Sequence, residues 1–214
     1  MKVGAVKISE CSSLLFIGDS ITDCEREWTG DKNGGLGNGY VSMVAAKFAN
    51  SWPPVSLRIL NTGVSGNEVT DLEERWDKDV LAHQPDCLSV MIGINDAWQQ
   101  FDCAMEPKEV AMANFGATYR SLLERTVPQL KGLILMTPYL IEANREDGMR
   151  RMMDGYGEVV KRLAGEFGAV LVDVQAAFDE YLETGSSQSL AEDRVHPNGA
   201  GHEIIARAFL AAVR

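Results

Sequence analysis

The stretch Phe16-Ile17-Gly18-Asp19-Ser20-Ile21-Thr22-Asp23 decides how the rest of the chain is read. The apolar run that feeds it, residues 14–17, has the length and composition of a short buried strand. It stops at Gly18, and polar residues follow at once. Open α/β sheets bind ligands beyond the carboxyl ends of their strands, and Ser20 stands just past such an end. Gly18 permits a tight turn there, and Asp19 and Asp23 can accept bonds from nearby backbone N–H groups. Ser20 itself reads in two ways, as a helix cap or as a nucleophile, and these eight residues do not separate them.

Outward from this stretch, strands alternate with helices. A glycine-rich polar loop, residues 25–39, is followed by a helix over 41–49 and a second strand over 57–60. Turn-forming residues 61–67 then open a helix with Val69, Leu72, Trp76 and Val80 on one face and charges opposite. A third strand, 87–92, ends at Gly93-Ile94-Asn95-Asp96, and residues 98–107 read as a loop. A helix over 110–126 leads to a fourth strand, 133–136, ending at Thr137-Pro138-Tyr139. A long helix runs to about Phe167, and a fifth strand covers 169–172. A short helix, 174–183, precedes a loop that reaches Asp193-Arg194-Val195-His196-Pro197, and a last helix covers 199–213. This alternation predicts an α/β fold, with a five-stranded parallel sheet between two layers of helices. No linker divides it, so residues 1–214 are expected to form a single domain.

Composition narrows the function. The 214 residues are 45% hydrophobic and 24% charged, with a net charge of −11 and no long basic run. Binding to a phosphate backbone needs positive surface, so nucleic acid is not an expected partner. Nor is an anionic membrane, and no stretch is long enough to span a bilayer. Residues 1–10 lack the apolar core of a signal peptide, which points to a cytoplasmic location. The four cysteines, Cys11, Cys24, Cys87 and Cys103, show no C-x-x-C spacing and are expected to be reduced thiols. The glycines of the 25–39 loop match neither a phosphate-binding loop nor a dinucleotide fingerprint, so no cofactor or metal is expected.

Parallel strands put all their carboxyl ends on one edge of the sheet. Ser20, Gly66, Asn95 and the Asp193–His196 loop can therefore converge although they are far apart in sequence. The spacing of Asp193 and His196 lets a carboxylate reach the Nδ1–H of the imidazole in a tight turn, leaving Nε2 to take a proton from a serine. The same residues could instead be the capped start of the last helix. Attack on an ester creates an oxyanion, for which a glycine N–H and an asparagine amide are suitable donors. Gly66 and Asn95 fit that need, though each could also be a simple turn or cap residue. Trp28, Tyr40, Trp98 and Tyr139 fall beside the same edge and are candidate platforms for a sugar ring, with loop packing as the alternative.

Gly18-Asp19-Ser20, the Gly66 segment, Gly93-Ile94-Asn95-Asp96 and Asp193-Arg194-Val195-His196-Pro197 together resemble the four sequence blocks of the SGNH (GDSL) hydrolases, in the family's order and across nearly the whole chain. The resemblance implies a flavodoxin-like three-layer α/β/α fold. It also implies a catalytic triad of Ser20, Asp193 and His196, and an oxyanion hole from the Ser20 and Gly66 N–H groups with the Asn95 amide. Within the family, the chain is most similar to intracellular bacterial acetyl-xylooligosaccharide esterases. That implies an acetylated small sugar or oligosaccharide as substrate and a homo-oligomeric state. Glu192 stands where that group carries an aromatic residue, which bears on the shape of the sugar-side pocket. A broad short-chain carboxylesterase, thioesterase or lysophospholipase is the alternative within this chemistry. A non-catalytic carbohydrate-binding protein on the same fold is the alternative outside it.

Overall fold

Strand β1 (Ser13–Gly18) is buried at every position, as a central strand covered on both faces must be. It lies between β2 (Arg58–Asn61) and β3 (Cys87–Met91). Beyond β3 follow β4 (Gly132–Met136) and β5 (Val170–Val172), all parallel, giving the order β2-β1-β3-β4-β5. β3 and β4 are also buried throughout, whereas the edge strands β2 and β5 are partly exposed. This is the flavodoxin-like order, in which the direction of winding reverses between β1 and β3 and opens a crevice at their carboxyl ends. The computed structural model describes residues 8–26, 35–51, 56–103 and 107–213.

The helices are α1 (Ser20–Asp23), α2 (Tyr40–Ala49), α3 (Val69–Asp79), α4 (Ile94–Cys103), α5 (Lys108–Thr126), α6 (Gly148–Phe167), α7 (Val174–Leu182) and α8 (Gly199–Ala212). α2 packs against α8, and α3 and α6 each pack against α5. The expected face of α3 is inward: Val69, Leu72 and Trp76 are buried. The Trp76 indole N–H is satisfied by Thr126 Oγ1 at 2.8 Å.

Two sequence expectations are corrected. Within the stretch 98–107 read as a loop, residues 98–103 are helical and belong to α4; residues 104–106 are outside the described residues. α4 starts with Asn95 on its first turn and buries Ile94 and Ala97. Its apolar stripe is narrow, and the turn-rich Gly93-Ile94-Asn95-Asp96 masks its start. The cysteines are not all reduced: Cys11 and Cys87 form a disulfide, with Cα atoms 6.2 Å apart. They are separated by 76 positions, so no local spacing reveals them. They meet because Cys87 opens β3 opposite Leu14 of β1, a few residues after Cys11. Cys24 and Cys103 are free thiols.

Candidate active site

The end of β1 is shaped by close approach. A Cβ on Gly18 would run into the Met91 carbonyl of the neighbouring strand and into Thr22 Oγ1, so only glycine fits there. The chain then enters α1, and the cap is Asp19, whose side chain accepts from the Ile21 N–H at 3.0 Å. Ser20 is therefore the first helical residue, with its side chain free for another partner. That partner is His196: Ser20 Oγ lies 3.0 Å from its Nε2.

His196 is held by its own turn. Its Nδ1 is 2.6 Å from Asp193 Oδ2, while Asp193 Oδ1 accepts from the Val195 and His196 N–H groups at 2.9 and 2.8 Å. Asp193 thus caps its own turn, and the start of α8 is capped by Asn198, which accepts from Ala200 and Gly201. Burial raises the Asp193 carboxyl, but the bonds from the His196 ring and from these two backbone N–H groups outweigh it and hold it below the ordinary carboxylate value. Arg194 is left-handed at φ 66°, a conformation a non-glycine residue keeps only under firm restraint. The restraint is visible. The Ile141 N–H donates to the Arg194 carbonyl at 2.9 Å, and the guanidinium reaches Glu142 at 2.8 Å and Asp147 at 3.3 Å.

Gly66 adopts φ 83°, and a Cβ there would meet nothing within 4 Å. Glycine is needed for its backbone angle and not for room. Its turn is tied to the Ser20 segment: Val64 N–H donates to the Gly18 carbonyl and Ser65 N–H to Asp23 Oδ2, both at 3.0 Å. It is also tied to α4, because Asn95 Nδ2 donates to the Asn67 carbonyl at 2.9 Å. A carbonyl can only accept, so the Asn95 amide is oriented with its NH2 toward this turn, and one of its two hydrogens remains for another acceptor. The structure thus gathers Ser20, Gly66, Asn95, Asp193 and His196 on one edge of the sheet.

The aromatic candidates divide. Tyr40 and Tyr139 are each 1% exposed and offer no ring face to a substrate, so they are not substrate contacts. Tyr40 bonds Thr22 Oγ1 at 3.0 Å and packs behind the nucleophile segment, in line with the alternative of core packing. Tyr139 donates to the Val195 carbonyl at 3.1 Å and packs its ring at a tilt against Phe178, so it supports the Asp193–His196 turn. Their loop-like settings in the sequence carry no sign of this, because burial is decided by α8 and α7, distant in sequence. Trp98 lies on α4, half-buried, with its indole N–H on Asp102 at 2.8 Å. Trp28 lies outside the described residues. His202, which no motif marked, accepts from the Tyr40 N–H and lies 3.3 Å from Cys24 Sγ. Burial pushes it down to about 4, so it is a neutral structural imidazole. Among the described residues, no group of three or more His, Cys, Asp or Glu side chains is arranged to hold a metal ion.

Two buried carboxyls flank the site. Burial pushes Asp19 up to about 7, against the Ile21 N–H bond and the attraction of His196. Burial likewise pushes Asp96 up to about 7, against its bond from the Val69 N–H and reinforced by the charge of Glu68. Asp96 Oδ2 has no partner among the described residues. The folded value lies above the ordinary one of 3.8, so the folded state keeps a proton that the unfolded chain releases. The associated stability is present below about pH 4 and is lost as pH rises through about 7. Asp96→Asn removes this dependence. Its stability relative to wild type, from urea unfolding, is expected to improve by about 2–4 kcal/mol between pH 4 and pH 8. An unchanged difference across that range would mean that the carboxyl titrates normally.

A family model described as the GDSL-like lipase/acylhydrolase family matches residues 16–204, a span that contains every residue of this constellation. The chain belongs to that family. Similar proteins include an acetylxylan esterase from Geobacillus stearothermophilus, 51% identical over 208 residues that cover 96% of this chain and 95% of the relative. The crystal structure of the Geobacillus stearothermophilus acetylxylan esterase Axe2 is 48% identical with a TM-score of 0.88, over 100% of this chain and 96% of that one. An alpha/beta hydrolase from the metagenome of Lake Arreo, Spain, is 45% identical with a TM-score of 0.89 over the same shares. Structures described as catalytic mutants of Axe2 replace a serine, an aspartate and a histidine with alanine, the last two three positions apart as Asp193 and His196 are. A further Axe2 mutant replaces a tryptophan immediately before that aspartate, where this GDSL-like chain has the exposed Glu192. Among the described residues, no helix is long and apolar enough to cross a membrane.

Proposed function

We propose that this chain is a serine esterase that removes acetyl groups from xylo-oligosaccharides or closely related acetylated sugars. The observation that carries the chemistry is the hydrogen-bonded series Ser20 Oγ, His196 Nε2, His196 Nδ1, Asp193 Oδ2, with spacings of 3.0 and 2.6 Å. Ser20 Oγ attacks the acetyl carbonyl carbon while His196 Nε2 takes its proton, and Asp193 balances the imidazolium. The carbonyl oxygen becomes an oxyanion, received by the Ser20 and Gly66 N–H groups and the free hydrogen of Asn95 Nδ2. The sugar oxygen leaves with the proton from His196, giving acetyl-Ser20. Water attacks that ester with His196 again as base, releasing acetate and restoring Ser20.

Asn95→Ala is expected to lower kcat by about a hundred- to a thousandfold with a smaller effect on KM, because the donor matters most once charge has formed. Steady-state kinetics on p-nitrophenyl acetate check this; unchanged kcat with raised KM would make Asn95 a substrate holder only.

The sugar acetate as substrate is supported by the 51% identity to an acetylxylan esterase. The test is kcat/KM across p-nitrophenyl acetate, butyrate, octanoate and palmitate, beside peracetylated xylose. An apolar channel would gain up to about 0.8 kcal/mol per buried methylene, so a lipid esterase improves with chain length and an acetyl pocket worsens. The expected result is a maximum at acetate with ready turnover of the sugar acetate. A maximum at octanoate or beyond would instead select the lipid-ester reading. A homo-oligomeric state, implied by the resemblance, and a cytoplasmic location, suggested by the absence of a signal-peptide core in residues 1–10, belong to the same proposal. The net charge of −11 also disfavours nucleic acid as a partner. The Cys11–Cys87 disulfide weighs against a reducing compartment, so cell fractionation is the decisive measurement for location.

A further inference from the structure

Helix α3 turns one long cation toward the site. The Arg75 side chain is only 15% exposed, and its guanidinium serves acceptors from several segments at once. Nη2 donates to the Gly18 carbonyl at 3.1 Å. Nη1 donates to the Thr62 carbonyl at 2.6 Å and to Asp79 Oδ2 at 2.8 Å, and Nε to Asn67 Oδ1 at 2.6 Å. Gly18 is two residues ahead of Ser20. Thr62 and Asn67 bracket the Gly66 turn. The Asn67 carbonyl, in turn, is the anchor of the Asn95 amide. One planar cation therefore reaches the end of β1, both sides of the Gly66 turn and, through Asn67, the amide on α4.

Oxyanion donors stabilise a transition state only if they are fixed before charge develops, since reorienting them during the reaction would cancel the gain. The three donors here come from three separate segments, so their mutual placement needs a cross-link. A guanidinium suits this because its five N–H groups form a rigid fork that can satisfy divergent acceptors. A lysine in its place would offer one flexible point charge. Asp79 neutralises the cation, so its partly buried charge is paired.

We propose that Arg75, acting through Asn67, is a positioning residue that holds the Ser20 segment and the Gly66 and Asn95 donors in one fixed relation. The inference rests on the esterase reading above and adds a residue that lies outside its sequence blocks. Arg75 touches no reacting atom, so its loss should appear in kcat and in transition-state affinity, and little in KM.

The test compares wild type, Arg75→Gln, Asn67→Ala and the double variant, with Ser20→Ala as reference. The assays are p-nitrophenyl acetate kinetics and inhibition by phenylboronic acid, which forms a tetrahedral adduct with an active serine. Asn67→Ala keeps the backbone carbonyl that anchors Asn95 and keeps the bonds of Arg75 to Gly18, Thr62 and Asp79. It therefore decides the question even where Arg75→Gln fails to fold. Each single variant is expected to lose about ten- to a hundredfold in kcat with KM within about threefold, and boronate inhibition should weaken in step. The double variant should fall no more than about threefold below the worse single one, because both break the same link. Asn67→Ala within about twofold of wild-type kcat, while Ser20→Ala is inactive, would overturn the inference and leave the esterase reading intact. A loss confined to KM would overturn it as well. Turnover by Ser20→Ala at the wild-type rate would instead remove Ser20 as the nucleophile, and with it the site on which the esterase reading rests.

Discussion

Replacing Ser20 with alanine is expected to lower kcat for acetyl ester hydrolysis by about four to six orders of magnitude while the protein stays folded. The hydroxyl is the one group in the constellation that can form and then release the acyl bond. Its loss leaves the Gly66 and Asn95 donors to stabilise only the slow direct attack of water. The fold should be indifferent to the change. Ser20 Oγ hydrogen-bonds the exposed His196, and α1 is capped through Asp19 and not through Ser20. A stability change within about 0.5 kcal/mol is therefore expected in urea unfolding. The assay is single- and multiple-turnover hydrolysis of p-nitrophenyl acetate, with organophosphonate labelling as a count of active serines. Turnover within about tenfold of wild type would assign the nucleophile to another residue. Intact sugar binding without turnover in the wild type would favour a binding protein.

The sheet was legible because β1, β3 and β4 are central strands. Both of their faces must be apolar, so they stand out as unbroken hydrophobic runs between turn residues. The Ser20, Gly66 and Asn95 segments were legible because each follows β1, β2 or β3 within a few residues and a parallel sheet gathers those ends, whereas the Asp193–His196 turn, which lies beyond α7, was legible by its own spacing. What stayed hidden depends on contacts distant in sequence. Cys11 and Cys87 are strangers along the chain and neighbours across β1 and β3. Tyr40 and Tyr139 looked like rim residues because they follow polar loops, yet His202 of α8 and Phe178 of α7 cover them. Arg75 fell among the charges opposite the apolar face of α3, and hydrophobic periodicity cannot distinguish a solvated arginine from one that bridges three carbonyl and amide oxygens. The same blindness applies to Arg150 on α6, which is 2% exposed and paired with Asp154 and Asp179. α4 is masked in the sequence for a different reason. Its first turn is Ile94-Asn95-Asp96-Ala97, where residues suited to the site replace the usual capping and apolar signals.

Asp193→Asn is expected to lower kcat by about a thousand- to ten-thousandfold. The cause is a tautomer and not a lost shape. Asp193 Oδ1 accepts from the Val195 and His196 N–H groups, and an asparagine oxygen can keep both bonds. The asparagine NH2 then faces His196 Nδ1 where Oδ2 stood at 2.6 Å. A donor facing Nδ1 requires that nitrogen to carry no proton, so the ring proton moves to Nε2. Nε2 must accept the proton of Ser20 Oγ from 3.0 Å, and once protonated it cannot. Stability should change little, because the turn is also held by the Ile141 N–H, by Tyr139 and by the Arg194 pairs with Glu142 and Asp147. Organophosphonate labelling of Ser20 should slow by a similar factor, since it needs the same base. Thermal unfolding of wild type and Asp193→Asn fixes a temperature at which both are folded, and turnover is compared there. A kcat within about tenfold of wild type, with the fold intact, would show that Asp193 orients the imidazole without selecting its tautomer.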